Sequence, residues 1–454
     1  MTLVSATELA QSSSYWAQGG LAAALSADDS PQLHLADTLS AGRGMVRESA
    51  ARVLTDEAPA AVEDLARLGV QFDGDGAGRP ALSLEGGHGM RRIVHAGGAA
   101  TGRRIVQQLS ELAAAEPRIE VLEDRRAVAL LMRDGRCTGV VLAGGQELNA
   151  PATTLATGGT AALWSRTTNP SAATGGGLLL AHAAAAKLAD IEMMQFHPTA
   201  VVASGRYDGL LVTEAIRGEG ARLLNAQGER FVEELAPRDE VARAIYAELV
   251  RCGSRSVALD MREVDPRLFP TVIAALAEAG LDATRETIPV APAAHYMMGG
   301  IATDLEAGTS VPGLLAIGEC SCTGLHGANR LASNSLSECF VFGARAARAA
   351  LAQPPLPASS AGQQRVAPEG VPAPGPESRE ALWRNAGLVR DAAGLTSLLD
   401  DPHPLVRLIA TAALRREESR GAHWRRDFPD QDPKLDRCHV TLVTDQKAEF
   451  EQWA

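Results

Sequence analysis

Short apolar runs separated by turn signals alternate with amphipathic helical patterns along most of this chain. Residues 102–115 carry apolar side chains at the spacing of one helical face, and apolar runs follow at 119–122, 127–132 and 139–143. Asp134-Gly135 separates the last two runs and is typical of a two-residue hairpin turn. The pattern therefore predicts a helix, a strand and a β-hairpin in succession.

The segments on either side of this region also have clear patterns. Residues 2–5 predict the end of a strand, and a serine-rich polar loop over 12–20 is followed by an alanine-rich run that predicts a helix. A further apolar run ends at Leu155, just before the glycine pair Gly158-Gly159. This order of strands, helices and glycine turns is typical of an α/β protein.

The second half of the chain divides into segments of different composition. Residues 200–290 are dense in charge and include a helical pattern at 239–251, which we interpret as an inserted domain. A buried strand at 313–318 and a helix over 335–352 return to the first domain. Residues rich in Pro, Ala, Gly, Ser and Gln then predict a flexible linker. The predicted organisation is 1–199 and 291–352 for the first domain, 200–290 for the inserted domain, 353–377 for the linker and 378–454 for a C-terminal helical region.

Composition and charge narrow the function classes. The 454 residues suffice for two or three domains, and a formal net charge of -12 disfavours nucleic acid as a partner. Six cysteines in so long a chain do not indicate a disulfide framework. Cys320 and Cys322 are interpreted as packed thiols, so no metal site is predicted. We find no signal peptide and no membrane-spanning run, which predicts a cytoplasmic protein without a membrane partner.

Residues 318–336 are the densest polar segment of the chain. Glu319, His326 and Arg330 occur here with two asparagines, several serines and three glycines, directly ahead of an apolar helix pattern. Buried polar groups must find partners, so this segment is a poor candidate for core packing. A loop around an anionic ligand at a helix N-terminus is the better interpretation, because free backbone N–H groups and the helix dipole favour negative charge there.

This segment, the run Glu85-Gly86-Gly87-His88 and the serine-rich loop together resemble the L-aspartate oxidase family of the succinate dehydrogenase/fumarate reductase flavoprotein superfamily. The resemblance implies an α/β fold with a Rossmann-like FAD-binding domain, an inserted α+β capping domain and a C-terminal helical region. It implies non-covalent FAD and hydride transfer from the L-aspartate Cα to flavin N5, which gives iminoaspartate. Fumarate or O2 would accept the electrons. The family places this reaction first in quinolinate and NAD synthesis, which makes quinolinate synthase a candidate partner.

The resemblance also assigns a proton shuttle to Arg238. From composition alone, Arg238 is a surface arginine beside a helix-capping Asp239. An arginine is a weak acid, so a relay needs a second group to compensate as the proton leaves. Glu214 and Glu219 are both near in sequence, and the sequence does not choose between them.

The predicted substrate pocket contains both arginines and imidazoles. Arginine forks suit carboxylates because they donate two parallel hydrogen bonds. The resemblance places Gln195, His197, Thr213, His295 and Arg330 around a four-carbon dicarboxylate, although a lone histidine in an apolar segment is more often structural.

Glu85 is the residue that distinguishes aspartate oxidases from the other families of this superfamily. Without the resemblance, it is a solvated acid in a glycine-rich turn. In aspartate oxidases the matching glutamate faces the substrate amine, which a carboxylate attracts. Glu85 therefore predicts an amino-acid substrate.

The flavin site is assigned by resemblance alone. The assigned residues are Ser13, Ser14, Tyr15, Trp16, Ala17, Gln18, Gly19, Gly20, Arg126, Ala127, Gly176, Glu319, Ser335 and Leu336.

The sequence departs from the family in three places. The glycine-rich strand-turn-helix unit that holds the pyrophosphate is not found in these residues, Ala6 replaces a lysine, and Gly176 replaces an aspartate. Two alternatives to an aspartate oxidase follow. One is a flavin-poor chain that only binds dicarboxylates, and the other is a fumarate reductase-like flavoprotein.

Overall fold

The computed structural model of the protein describes residues 1–9, 12–76, 78–356, 362–368, 373–443 and 447–454. Helices and strands alternate over most of these residues. The helices are α1 (Pro31–Ala41), α2 (Glu48–Arg67), α3 (Thr101–Ala115), α4 (Gly176–Ala183), α5 (Glu214–Gly218), α6 (Arg238–Cys252), α7 (Pro270–Glu278), α8 (Asn334–Leu351), α9 (Pro376–Asn385), α10 (Ala392–Ser397) and α11 (Pro404–Arg415). The strands are β1 (Thr2–Val4), β2 (Leu21–Ala22), β3 (Leu82–Ser83), β4 (Ile93–Val94), β5 (Glu120–Leu122), β6 (Ala127–Arg133), β7 (Arg136–Leu142), β8 (Glu147–Asn149), β9 (Thr153–Leu155), β10 (Leu188–Ala189), β11 (Met194–Val201), β12 (Arg222–Leu224), β13 (Val257–Asp260), β14 (Ile288–Met297), β15 (Gly300–Ala302), β16 (Leu314–Ala316), β17 (Ser321–Cys322), β18 (Gln364–Val366), β19 (Cys438–Leu442) and β20 (Ala448–Gln452).

The first domain contains parallel pairs and an antiparallel ribbon. Strand β1 pairs in parallel with β5, and β16 pairs in parallel with β9. Strands β6, β7 and β8 form the ribbon. Its predicted hairpin turn is confirmed, because Asp134 and Gly135 have φ of 48° and 75°, the left-handed values that such a turn needs. The α/β fold class is confirmed as well.

The alanine-rich run after the serine loop is a strand, and the prediction of a helix there was wrong. Leu21 and Ala22 form β2 and pair with Val94 and Ile93, and both are fully buried. An added Cβ on Gly20 would come within 2.3 Å of the Val94 carbonyl oxygen, so the chain must lie close to β4 here. Sheet pairing in the core outweighs the helix propensity of alanine.

The inserted segment has its own sheet and core. Strands β11, β14, β13 and β12 form one antiparallel sheet in that order, and α5, α6 and α7 accompany it. A separate apolar cluster, which includes Val241, Ile245 and Leu259, lies in this segment. The predicted limits at 199/200 and 290/291 fall inside the paired strands β11 and β14, which extend into the first domain.

The C-terminal part differs from the prediction in two respects. Within the predicted linker 353–377, Gln364–Val366 pairs with β6, so this stretch belongs to a sheet, whereas 357–361 and 369–372 lie outside the described residues. The predicted helical region 378–454 ends in two strands, β19 and β20, which extend the sheet formed by β10, β15 and β17. The sequence did not predict these strands, because each spans five residues and the surrounding segment from Asp427 is polar and contains prolines.

Two classes of feature are absent from the described residues. No helix there is long and apolar enough to cross a membrane. No group of His, Cys, Asp and Glu side chains in the described part of the chain could hold a metal ion.

Candidate active site

Two adjacent strands carry three of the predicted pocket residues. Gln195 and His197 lie on β11, and His295 lies on β14. The two strands pair with register irregularities after Gln195 and after His197, where Pro198 cannot donate to the ladder. As a result, the imidazoles of His197 and His295 lie edge to face, with ring centroids 5.0 Å apart.

Arg238 begins α6 and forms an ion pair with Glu214. Its Nε donates to the Glu214 Oε2 at 2.6 Å, and the Arg217 Nη2 lies 3.3 Å from the Glu214 Oε1. All three side chains are at least nine-tenths buried. Burial alone would raise the pKa of Glu214, but Arg238 and Arg217 outweigh it and lower that pKa to about 2. Glu214 is thus ionised at neutral pH, and it is the acid that contacts Arg238, whereas Glu219 is exposed.

Gln195 connects the two arginine-bearing segments. Its Oε1 accepts a hydrogen bond from the Arg238 Nη1 at 3.3 Å. Its Nε2 donates to the backbone oxygen of Arg330 at 2.9 Å and to the Asn329 Oδ1 at 3.0 Å. One amide therefore holds the polar loop of 318–336 against the start of α6, so Arg238 and Arg330 lie in one region.

Arg330 has no carboxylate partner among the described residues. Its Nη1 donates to the Ser335 Oγ at 3.1 Å, and its buried Nε has no hydrogen-bond partner there. The residue is 4% exposed. Burial, reinforced by the nearby Arg238, lowers the pKa of Arg330 to about 10, so the guanidinium remains charged. A buried charge without a partner is costly, which indicates that an anionic ligand completes this site.

Both pocket imidazoles are neutral in this environment. Burial, together with nearby guanidinium groups, lowers the pKa of His197 and of His295 well below the usual value. The His197 Nδ1 accepts the backbone N–H of Thr199 at 3.2 Å, which leaves Nε2 as the protonated donor. The His295 Nδ1 lies 2.8 Å from the Thr168 Oγ1. Neutral imidazoles can donate hydrogen bonds to a carboxylate without adding charge.

Glu85 and Thr213 are also buried at this site. The Glu85 Oε2 accepts a hydrogen bond from the Ser333 Oγ at 2.6 Å, and the next backbone N–H, of Gly86, donates to Glu214. Thr213 precedes α5 and is 4% exposed. The site thus joins an acid from the 82–94 region to the arginines of two other segments.

The residues assigned to the flavin fall into two groups. The serine-rich loop and the polar segment 318–336 meet at the N-terminus of α8, because the Ala22 N–H donates to the Ser333 oxygen and a Cβ on Gly19 would lie 3.4 Å from the Ser333 Oγ. Gly159 lies so close to Glu319 that an added Cβ would be 2.0 Å from its carboxylate. By contrast, no hydrogen bond in the described residues joins Arg126 or Ala127, at the start of β6, to these segments.

Several groups at this meeting point lack protein partners, which fits a bound FAD. The Asn334 N–H donates to the Leu331 oxygen, but Ser333 makes no side-chain capping bond to α8, so the following N–H groups of the first turn are left for a ligand. The buried Oε1 of Gln18 has no partner within the described residues. Gly176 begins α4, and a Cβ added to it would meet no heavy atom within 4 Å. Burial raises the pKa of Glu319 to about 7, although this carboxyl accepts the Met297 N–H at 2.9 Å.

The chain is similar to known flavoproteins over nearly its whole length. The FAD binding domain family matches residues 1–336, and the fumarate reductase flavoprotein C-terminal family matches residues 399–452. The L-aspartate oxidase of Caulobacter vibrioides is 47% identical over 97% of this chain and 91% of the relative. The L-aspartate oxidase of Agrobacterium fabrum is 44% identical over 95% and 87% of the two chains. A variant of the E. coli quinol fumarate reductase FrdA subunit superposes with a TM-score of 0.89 at 26% identity, over 99% of this chain and 92% of that one.

The fold and the two adjoining sites define an FAD-dependent oxidoreductase of the succinate dehydrogenase/fumarate reductase flavoprotein superfamily. Within that superfamily, the curated relatives reported above share close to half of their residues with this chain. The chain belongs to the L-aspartate oxidase family.

Sequence reasoning missed Arg217 and Ser333 as parts of the site. Arg217 follows Glu214 by three residues, a spacing that places both on one side of a short helix and was available as a signal. Ser333 has φ of 59°, an uncommon value for a non-glycine residue. No sequence pattern predicts this left-handed conformation at Ser333.

Proposed function

We propose that the protein oxidises L-aspartate to iminoaspartate, with FAD as the cofactor and with fumarate or O2 as the electron acceptor. The observation that carries this proposal is the buried Arg330 guanidinium, which has no carboxylate partner in the described residues and whose loop is bonded through Gln195 to Arg238. Bound FAD supplies the acceptor for the hydride that leaves the substrate Cα. The product is the substrate class of quinolinate synthase, which we propose as a partner.

The pocket contains both charged and neutral hydrogen-bond donors for a dicarboxylate. We propose that Arg330 takes one carboxylate as a bidentate fork, and that His197, His295 and Thr213 donate to the carboxylates as neutral groups. Gln195 keeps the two arginine segments together. Three guanidinium groups, those of Arg238, Arg217 and Arg330, lie here, and within the described residues Glu214 is the one carboxylate that forms an ion pair with any of them, so a doubly negative ligand suits the local charge.

Arg238 is proposed to move the proton. In the direction of fumarate reduction it would donate a proton from its guanidinium to the substrate carbon. The contact with Glu214 at 2.6 Å, and the contact of Glu214 with Arg217, supply a charged chain through which the proton is replaced. Because the pKa of Glu214 is lowered to about 2, this acid stays ionised over any ordinary assay range.

The reaction is tested directly by anaerobic reduction. We expect one equivalent of L-aspartate to bleach the visible absorbance of the FAD-loaded protein, and fumarate to restore it. If L-aspartate leaves the flavin oxidised while fumarate still reoxidises dithionite-reduced protein, the amino-acid oxidase proposal is wrong and a fumarate reductase-like activity remains.

Replacing Glu85 by glutamine is expected to separate the two substrates. The amide removes the negative charge that would meet the substrate ammonium but keeps the size of the side chain and its contact with Ser333. Hydrogen bonds to charged groups contribute about 1.5–3 kcal/mol, so kcat/KM for L-aspartate should fall by about 10- to 100-fold. Fumarate reduction should change by less than about threefold.

The matched control for this variant is Glu63→Gln, on the exposed face of α2. It should leave both activities unchanged. Equal losses of L-aspartate oxidation and fumarate reduction in Glu85→Gln would remove the assignment of Glu85 to the amine.

A further inference from the structure

Arg330 is held by an aromatic ring instead of a carboxylate. Its guanidinium carbon lies 4.4 Å from the centroid of the Tyr296 ring, a cation–π distance. Tyr296 follows the pocket residue His295 on β14 and is 6% exposed. The ring therefore lies inside the protein, beneath a charge that has no ion-pair partner in the described part of the chain.

The orientation of the Tyr296 ring is itself fixed by a buried chain of polar groups. The Tyr296 hydroxyl donates to the Glu338 Oε2 at 3.0 Å, and the His326 Nε2 lies 2.9 Å from the same oxygen and 3.2 Å from the hydroxyl. The rings of Tyr296 and His326 meet edge to face at 5.3 Å. Tyr296, His326 and Glu338 are each at most 6% exposed. The Tyr296 hydroxyl, the His326 Nε2 and the Glu338 Oε2 contact one another, so the ring has one preferred position.

An aromatic holder suits this position better than an acid would. A carboxylate beside Arg330 would neutralise the guanidinium and occupy the donors that a ligand needs. A π face attracts the cation from one side and leaves its N–H groups free in the plane. This agrees with the Arg330 Nε, which has no partner among the described residues.

We propose that Tyr296 is a positioning residue for dicarboxylate binding, and that the Tyr296–His326–Glu338 chain fixes its ring beneath the Arg330 guanidinium. This inference rests on the proposed function, because it names the support for the proposed carboxylate-binding arginine. Tyr296 acts through Arg330 and does not itself touch the reacting atoms.

The test compares Tyr296→Phe with Tyr296→Leu in the FAD-loaded protein, with succinate as the titrated ligand in calorimetry. Phenylalanine keeps the π face and should weaken binding by less than about threefold, whereas leucine removes it and should weaken binding by about tenfold. KM for L-aspartate and for fumarate should rise together in Tyr296→Leu, because both substrates present the carboxylate to Arg330. The kcat values should change by less than about threefold.

Several outcomes would overturn the inference. If Tyr296→Leu binds succinate as tightly as the wild type, the ring does not position Arg330. If Tyr296→Phe is as impaired as Tyr296→Leu, the hydroxyl and not the π face supports Arg330, and the inference fails. If kcat and flavin content fall together, the residue serves general packing. Glu338→Gln gives an independent check, because Glu338 acts only through the Tyr296 ring and its loss should weaken succinate binding less than Tyr296→Leu does. A larger loss in Glu338→Gln would contradict the proposal that Glu338 acts through Tyr296. A wild-type protein that does not bind succinate would overturn the proposed function itself.

Discussion

Replacing Arg238 by leucine is expected to lower turnover about a thousandfold while leaving the flavin spectrum and succinate affinity nearly unchanged. Proton transfer by a positioned group contributes about 10²- to 10⁴-fold to a rate, and leucine cannot transfer a proton. The variant does not leave an orphaned acid, because Glu214 keeps its contact with Arg217 and its hydrogen bond from the Gly86 N–H. Gln195 loses its hydrogen bond from Arg238 but still donates to Asn329 and to the Arg330 backbone, so the pocket should keep its shape. Steady-state fumarate reduction and a succinate titration measure the two quantities.

Arg251→Leu is the matched control, because Arg251 lies in the last turn of the same helix and its side chain is 57% exposed. It should behave as the wild type. Near-normal turnover in Arg238→Leu would mean that another group moves the proton. A large loss of succinate affinity in that variant would make Arg238 chiefly a binding residue.

Replacing Arg330 by leucine is expected to weaken succinate binding by at least about 100-fold without lowering thermal stability. Two charged hydrogen bonds to a carboxylate are lost, and each contributes about 1.5–3 kcal/mol. In the free protein the same guanidinium is buried with no ion-pair partner in the described residues, so its removal takes away an unfavourable charge. Arg330→Leu should thus lower the affinity for succinate without lowering the Tm, as expected where the ligand supplies the ion-pair partner of a buried arginine.

Arg416→Leu provides the contrasting buried arginine. Arg416 is fully buried between Glu192 and Glu418, with contacts of 2.9 Å to each. Removing it leaves the buried Glu192 carboxylate without an ion-pair partner in the described residues, whereas Glu418 keeps Arg420. The loss should cost about 3–5 kcal/mol and lower the Tm clearly. If Arg330→Leu lowers the Tm as much as Arg416→Leu does, Arg330 is a structural residue.

The sequence predicted the elements whose signals are local. The α6 and α8 patterns and the Asp134-Gly135 hairpin turn appear in the structure within a few residues of their predicted limits. Strand β2 was missed because its alanines favour a helix in isolation and become a strand only by pairing with β4. Strands β19 and β20 pair with each other, but their place in a sheet depends on the pairing of β19 with β10, which lies far away in sequence and could not be predicted from local signals.

The candidate site was predicted residue by residue but not as a geometry. Family resemblance identified Arg238, Gln195 and Arg330 as site residues. Their spacing in the sequence does not show that the Gln195 amide connects the segment of Arg238 with that of Arg330. The choice of Glu214 over Glu219 needed a distance, because both acids precede Arg238 at similar separations in sequence and Glu219 is the nearer of the two. The support that Tyr296 gives Arg330 also depends on contacts between segments that the chain brings together only on folding.

The most direct test is a crystal structure of the FAD-loaded protein with succinate. We predict that the Arg330 guanidinium binds one carboxylate of succinate, that His197 or His295 contacts the ligand, and that Arg238 lies over its central carbons opposite the flavin. A structure in which the Arg238 and Arg330 guanidinium groups open into different cavities, with succinate bound elsewhere, would contradict this prediction.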